Sequence, residues 1–282
     1  MIRYSVESDR NDIIKLWHEA FGDSEAEIDF FLNNRYIPEN TLVYETDSKI
    51  TSMLFLLEGN MSIEGEDYPS YYLYAACTLN EYRGRGYMAS LLAFAKETAQ
   101  KRGYFFICLL PAEKALYDYY EKFGYKAIFR KKILKFSRKE FDLEHSIPEE
   151  TCSDREEIRN CAFREYNYFK WDNAALNFAF RHNKFYGGDS VECCKGYALY
   201  TVMKEQISVK EFTFTEFSKD VLSHILLSHN GPDTITVHLP ADCKTTTEEY
   251  ETVDSGMILA VTDEAESVIN NIGIAYLGLT LD

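Results

Sequence analysis

The segment Arg83-Gly84-Arg85-Gly86-Tyr87-Met88-Ala89 has the residue types of an anion cradle. The apolar run Tyr74-Ala75-Ala76-Cys77-Thr78-Leu79 reads as a strand before it, and helical periodicity begins at Tyr87. The glycines therefore fall where a helix starts. A helix start presents unpaired N–H groups and a partial positive charge, which together attract phosphate. Gly84 and Gly86 let the backbone approach an anion with no Cβ in the way. Arg83 and Arg85 add charge, and a guanidinium grips phosphate oxygens two at a time. Two commoner phosphate loops are excluded. The dinucleotide fingerprint fails because Ala89 holds its last glycine position, and the lysine of a triphosphate loop is missing. On these residues alone, a basic turn that merely caps a helix fits as well.

Further along, Leu109-Leu110-Pro111-Ala112-Glu113 is followed by Leu116-Tyr117-Asp118-Tyr119-Tyr120-Glu121-Lys122-Phe123-Gly124-Tyr125. The two blocks, in this order and spacing, resemble motifs A and B of the GNAT superfamily of N-acetyltransferases. Motif A is Arg/Gln-x-x-Gly-x-Gly/Ala after a strand and reads here Arg83-x-x-Gly86-x-Met88, with Met in the last small position. Motif B ends in Tyr-x-x-x-Gly-aromatic, met by Tyr120, Gly124 and Tyr125. The Met variant, with Leu-Pro after the second strand, resembles the Eis (enhanced intracellular survival) branch, which acetylates amines of aminoglycosides and proteins.

The resemblance implies a GNAT fold and acetyl-CoA as co-substrate, with no metal. It places the pyrophosphate on the N–H groups of Arg83, Gly84, Arg85, Gly86, Tyr87, Met88 and Ala89. It lines the pantetheine cleft with Ala76, Cys77 and Thr78 on one strand and Phe106–Leu110 on the next, with Ala112 and Glu113 following. Tyr120 becomes the acid that protonates the departing thiolate, a role open to a phenol of pKa ~10 facing a thiol of ~8.5. No base is identified. The strand Tyr71–Leu79 lacks the carboxylate some relatives carry, so Glu58 and Glu113 acting through water, the chain-terminal carboxylate at Asp282 and direct loss to solvent stay open. Cys77 as a covalent nucleophile lacks a histidine base, and a free cysteine usually packs as a small hydrophobe.

The elements that must position these groups read as mixed α+β. Ile2–Val6 is a strand, and Asn11–Phe21 and Glu25–Asn34 are helices. Strands follow at Thr41–Thr46, Ile50–Glu58 and Met61–Glu64, with a turn near Gly59-Asn60, then the aromatic strand Tyr71–Leu79. Tyr87–Arg102 is an amphipathic helix with Gly103 as its cap, Tyr104–Leu110 a buried strand, Glu113–Phe123 a helix and Tyr125–Phe136 a strand. The polar stretch 138–154 marks a boundary, giving an acetyl-CoA-binding domain at 1–140 and a second at 146–282. The second domain, with helices at Asp154–Tyr166, Asn173–His182 and Lys219–Ser228, is expected to be a degenerate GNAT-like copy. Its strands fall at Tyr197–Met203, Ser208–Thr213 and Thr234–Leu239. Its closing strand–helix–strand runs from Met257–Val261 to Ile274–Leu279. It has no Arg-x-x-Gly-x-Gly loop and so no cofactor of its own.

The chain has 282 residues, an apolar fraction of 46% and a formal net charge of -16. That charge argues against a nucleic-acid partner and suits a cationic substrate. No apolar run reaches membrane length and no signal peptide is evident, so a cytoplasmic protein is expected. The seven cysteines include no CxxC pair and the six histidines show no metal spacing. The leading expectation is an N-acetyltransferase acting on a primary amine of a small cationic molecule or peptide. A non-catalytic acyl-CoA sensor or a scaffold is the alternative, and a homo-oligomer is left open.

Overall fold

The computed structural model describes residues 1–141, 143, 154–214, 218–245 and 249–280. The expected start of a second domain at 146, His145 and Asp282 lie outside the described residues. The strands are β1 (Ile2–Tyr4), β2 (Thr41–Thr46), β3 (Lys49–Ile63), β4 (Glu66–Thr78), β5 (Phe106–Leu109), β6 (Lys126–Ser137), β7 (Tyr168–Lys170), β8 (Asp189–Cys193), β9 (Gly196–Val202), β10 (Gln206–Phe212), β11 (Thr234–Pro240) and β12 (Tyr250–Ala260). The helices are α1 (Arg10–Phe21), α2 (Glu25–Arg35), α3 (Tyr87–Lys101), α4 (Lys114–Glu121), α5 (Arg155–Phe163), α6 (Asn173–Phe185), α7 (Lys219–Ser228) and α8 (Asp263–Ile269).

Contacts divide the chain into two units, and neither is continuous. The first holds Met1–Asn60, Tyr68–Ala127 and Met257–Asn271; the second holds Met61–Asp67, Ile128–Gly256 and Ile272–Asp282. A single cut near 140 therefore does not separate them. The segment Met257–Asn271, expected to close a second copy, belongs instead to the first unit. The reason is sheet completion. Met257, Ile258, Leu259 and Ala260 pair antiparallel with Leu109, Cys108, Ile107 and Phe106 on the free edge of β5. Met257, Leu259 and Val261 then bury into the core made by Leu91, Leu92 and Ala95 of α3 with Tyr71 and Leu73 of β4.

In the first unit β1, β2, β3, β4 and β5 lie side by side in chain order. β2 turns into β3 at Asp47 and Ser48, both at positive φ (49° and 61°). That is the turn whose twist suits a tight hairpin. The β3–β4 turn repeats it at Glu64 and Gly65 (φ 51° and 87°). The expected turn at Gly59-Asn60 does not form. β3 runs straight through it to Ile63, and β4 begins at Glu66, because the left-handed pair that reverses the chain sits five residues later. β4 and β5 are parallel, joined through α3, as a parallel pair requires a crossover. Trp17 of α1 and Phe31 of α2 pack on Phe55 and Tyr74 of the sheet.

The second unit follows a like order. β8, β9 and β10 form an antiparallel run. α7 then leads to β11, which lies parallel to β10 and antiparallel to β6. The short strands β7 and β8 are not legible as periodic patterns. The expected strand Ile274–Leu279 is reduced to isolated bridges at Ala275 and Tyr276.

Candidate active site

Parallel pairing between β4 and β5 covers only Ser70–Tyr72 against Phe106–Cys108. Beyond that the strands part, and the cause is visible in β4. Ala75 takes φ 48°, a left-handed conformation inside a strand. An extra residue at such a bulge flips the side chains after it to the other face. Tyr71 and Leu73 face the α3 core, and after the bulge it is Ala76 that packs there. Cys77 turns to the opposite side, buried, with Glu19 and Arg83 as its charged neighbours. The sequence reading missed Ala75. Its only trace is a pair of small residues interrupting an aromatic strand.

At the end of β4 the chain makes a 3-10 turn over Asn80–Tyr82 and enters the glycine loop. Gly84 and Gly86 both sit at positive φ, 75° and 79°, and a Cβ on either would meet nothing within 4 Å. What they supply here is the left-handed backbone, which costs other residues more. Gly86 is the N-cap of α3. No side chain caps that helix, and its first turn holds no acidic residue. The first intrahelical bond runs from the Ser90 amide to the Gly86 carbonyl at 3.0 Å. The earlier amides therefore lead the helix with its positive end bare. Arg83 Nε donates to the Thr78 carbonyl at 3.1 Å and Arg85 Nη2 to that of Glu81 at 3.0 Å, which holds both guanidinium stems beside the loop. Arg85 also lies over the Tyr82 ring at 4.9 Å. Tyr87 stacks on Tyr44 of β2 at 4.1 Å. Arg83, Gly84, Arg85 and Gly86 are exposed, while Tyr87, Met88 and Ala89 are half-buried. Met88, the departure from the motif, packs against the core.

Ala112 and Glu113 are exposed where α4 begins, and the Glu113 carbonyl accepts from the Leu116 amide at 3.0 Å. Tyr120 is buried at the penultimate position of α4, edge-on to Tyr119 (5.4 Å) and Tyr125 (5.5 Å). Burial first, and Tyr119 second, push its phenol up to about 12. Burial likewise raises the Cys77 thiol well above its ordinary value. A thiol held neutral is a poor nucleophile. Glu58 is engaged elsewhere. It accepts from Asn40 Nδ2 at 3.1 Å, and Arg102 in turn donates to Asn40 Oδ1 (2.6 Å) and Tyr71 (3.1 Å). This cluster sits toward the start of β4, away from the glycine loop at its end.

The second unit offers a contrast. Its crossover helix α7 is capped by its own Ser218 side chain, which accepts from the Asp220 amide at 3.2 Å, and Asp220 adds a negative charge in the first turn. β10 also has a bulge, between Val209 and Glu211. There it turns Glu211 inward to a fully buried pair with Arg159 at 3.0 Å. Tyr197 and the Leu279 amide complete the carboxylate's partners. Among the described residues no cluster of three His, Cys, Asp or Glu could hold a metal ion, and no helix is long and apolar enough to cross a membrane.

Comparison with known proteins agrees with this architecture. A family model described as an acetyltransferase (GNAT) domain matches residues 1–128. No curated protein matches the chain. Among solved structures, an Enterococcus faecalis protein described as a probable N-acyltransferase is 13% identical, with a TM-score of 0.74 over 93% of this chain and 72% of its own. Eis1 from Mycobacterium abscessus is 14% identical, with a TM-score of 0.68 over 94% and 75%. A putative acetyltransferase from Pyrococcus horikoshii is 18% identical, with a TM-score of 0.60 over 100% and 94%. At such identities these likenesses speak for the fold. Together with the family match they mean that residues 1–128 of this chain carry a GNAT acetyltransferase domain.

Proposed function

We propose that the chain moves an acetyl group from acetyl-CoA to a primary amine of a small cationic molecule or a peptide. The observation that carries this reading is the bare start of α3 beside the parting of β4 and β5. The residues present fit the donor. Amides from Arg83 to Ala89 and the two guanidiniums suit a diphosphate, and the divergent strand edge at Ala76, Cys77 and Thr78 leaves backbone groups for an amide-bearing arm. The acceptor nitrogen forms its bond to the acetyl carbon as the carbon–sulfur bond breaks. Tyr120 delivers its proton to the sulfur, and the nitrogen loses one to water. The net charge of -16 favours a cationic acceptor. The second unit, with its capped and acidic α7 and its filled bulge, is read as holding no cofactor. The same reading makes the protein cytoplasmic.

Burial helps and hinders the acid at once. A phenol at about 12 stays protonated at neutral pH. Giving its proton to a sulfur of ordinary thiol pKa is uphill by roughly 5 kcal/mol unless the phenolate finds a donor.

The test is thiol release from acetyl-CoA across a panel of primary amines: a polyamine, an aminoglycoside, and peptides with lysine or a free N-terminus. Turnover with at least one, lost in Tyr120→Phe, is expected, together with CoA affinity that falls when Arg83 and Arg85 are both changed to Glu. Undiminished turnover in Tyr120→Phe removes the acid from the scheme. CoA binding without turnover on any amine replaces the enzyme reading with a sensor.

A further inference from the structure

The start of β3 lies beside the end of β4. The Leu79 amide donates to the Thr51 carbonyl at 3.0 Å, and the Ser52 and Thr78 hydroxyls meet at 2.9 Å. This pairing sets Lys49, the first residue of β3, against the turn Asn80–Tyr82 that leads into the glycine loop. Lys49 Nζ reaches Glu81 at 3.0 Å and lies 5.5 Å from the centre of the Tyr82 ring. Arg85 lies over the same ring at 4.9 Å. Tyr82 is therefore shared by two cations, one from the glycine loop and one from a strand outside it. Tyr87, 6.3 Å from Tyr82 and stacked on Tyr44, extends the row of rings.

Cations interleaved with aromatic rings suit a nucleotide, the rings facing its base and the cations its phosphates. CoA is a nucleotide with two separate anionic groups: the diphosphate, and a phosphomonoester on the 3′ oxygen of its ribose. A phosphomonoester carries a charge of about −1.5 to −2 at neutral pH. The bare start of α3, with Arg83 and Arg85, answers the diphosphate. The monoester needs a further cation beside that loop, and Lys49 stands there. Its present partner is replaceable. The side chains of Lys49 and Glu81 are 53% and 64% exposed, and an exposed ion pair holds weakly against water and salt. Glu19 is the other carboxylate whose charge Lys49 feels.

We propose that Lys49 is a specificity-determining residue for the nucleotide end of CoA: its ammonium exchanges Glu81 for the 3′-phosphate when the cofactor binds. The proposal rests on the reading of the glycine loop as the diphosphate site. No covalent bond changes; one ion pair replaces another. A phosphate presents more charge than a carboxylate and accepts at three oxygens, so the exchange runs toward the nucleotide. Glu81 then acts as a competitor that restrains affinity.

The experiment titrates CoA and 3′-dephospho-CoA into the full chain by calorimetry, for the unchanged protein, Lys49→Ala and Glu81→Gln. The unchanged protein is expected to bind CoA about 5- to 10-fold more tightly than dephospho-CoA, the worth of one charge-assisted contact at an exposed site. Lys49→Ala should erase that preference by weakening CoA alone. Glu81→Gln should widen it by about 2- to 3-fold, since the competitor has lost its charge. Raising the salt from about 0.1 M to about 1 M should narrow it. If Lys49→Ala weakens both nucleotides equally, the pair with Glu81 merely steadies the loop and the proposal is overturned. Equal binding of the two nucleotides by the unchanged protein overturns it too, while leaving the diphosphate reading in place. No affinity for either nucleotide removes both.

Discussion

Replacing Gly86 by alanine puts a Cβ on a residue at φ 79° whose surroundings are open, with nothing within 4 Å to strike. The cost is therefore purely conformational, about 1–2 kcal/mol for an L-residue held in the left-handed region. That cost must appear somewhere. If the loop keeps its shape, it appears as lost stability and CoA affinity is unchanged. If the loop relaxes, which its exposure permits, stability is kept and the amides at the start of α3 lose their aim. CoA then binds about 5- to 30-fold more weakly. Thermal melts and calorimetric titration with CoA, run on Gly86→Ala and Gly86→Asn, give the two quantities. The losses in stability and in affinity are expected to sum to about 1–2 kcal/mol for alanine. They are expected to be smaller for asparagine, which visits this region more readily. An alanine variant unchanged in both melting and affinity would refute the argument that the left-handed N-cap is what builds the cradle.

Three further outcomes follow from the geometry. Gly278→Ala should unfold the second unit's interior, because its Cβ would lie 2.7 Å from Arg159 Nη2 and 2.8 Å from Glu211 Oε2 at φ 69°. Displacing one partner of such a buried pair costs roughly 3–5 kcal/mol, read as an early transition in urea; a wild-type urea curve would contradict this. Alkaline unfolding should begin near the ordinary tyrosine pKa. Tyr120, raised from 10.0 to about 12 by burial, and Tyr125, Tyr197 and Tyr276, which burial raises well above their ordinary value, all hold their protons longer folded than unfolded. Their contribution is thus present below about pH 10 and lost as pH rises, with Tyr120 alone worth roughly 2–3 kcal/mol. Melts flat between about pH 8 and 11 would count against it. Finally, a chain cut after residue 140 should fail to fold. It lacks the strand Met257–Ala260 that pairs with β5. A soluble, cooperatively melting 1–140 would show that segment to be dispensable.

The amino-acid sequence determined the local features on its own. The bounds of α1, α3 and α7, the strand at Thr41–Thr46 and the glycine stops at Gly22 and Gly103 depend on periodicity, capping and backbone freedom, which are properties of a few neighbouring residues. So does the glycine loop at Arg83–Ala89, since a glycine-rich turn into a helix needs only that stretch of chain. The motif spacing of Tyr120, Gly124 and Tyr125 was equally legible, as an end-of-helix cap acts over six residues. Tertiary structure alone decided the rest. The bulge at Ala75 that parts β4 from β5 depends on how the sheet packs, the burial that raises Tyr120 and Cys77 depends on what packs over them, and Glu58 is claimed by Asn40 from another element. The clearest case is Met257–Asn271, whose strand and helix could be read in place but not their allegiance. Which edge an apolar strand completes is settled by pairing and burial with residues some 150 positions away, and no local pattern carries that information.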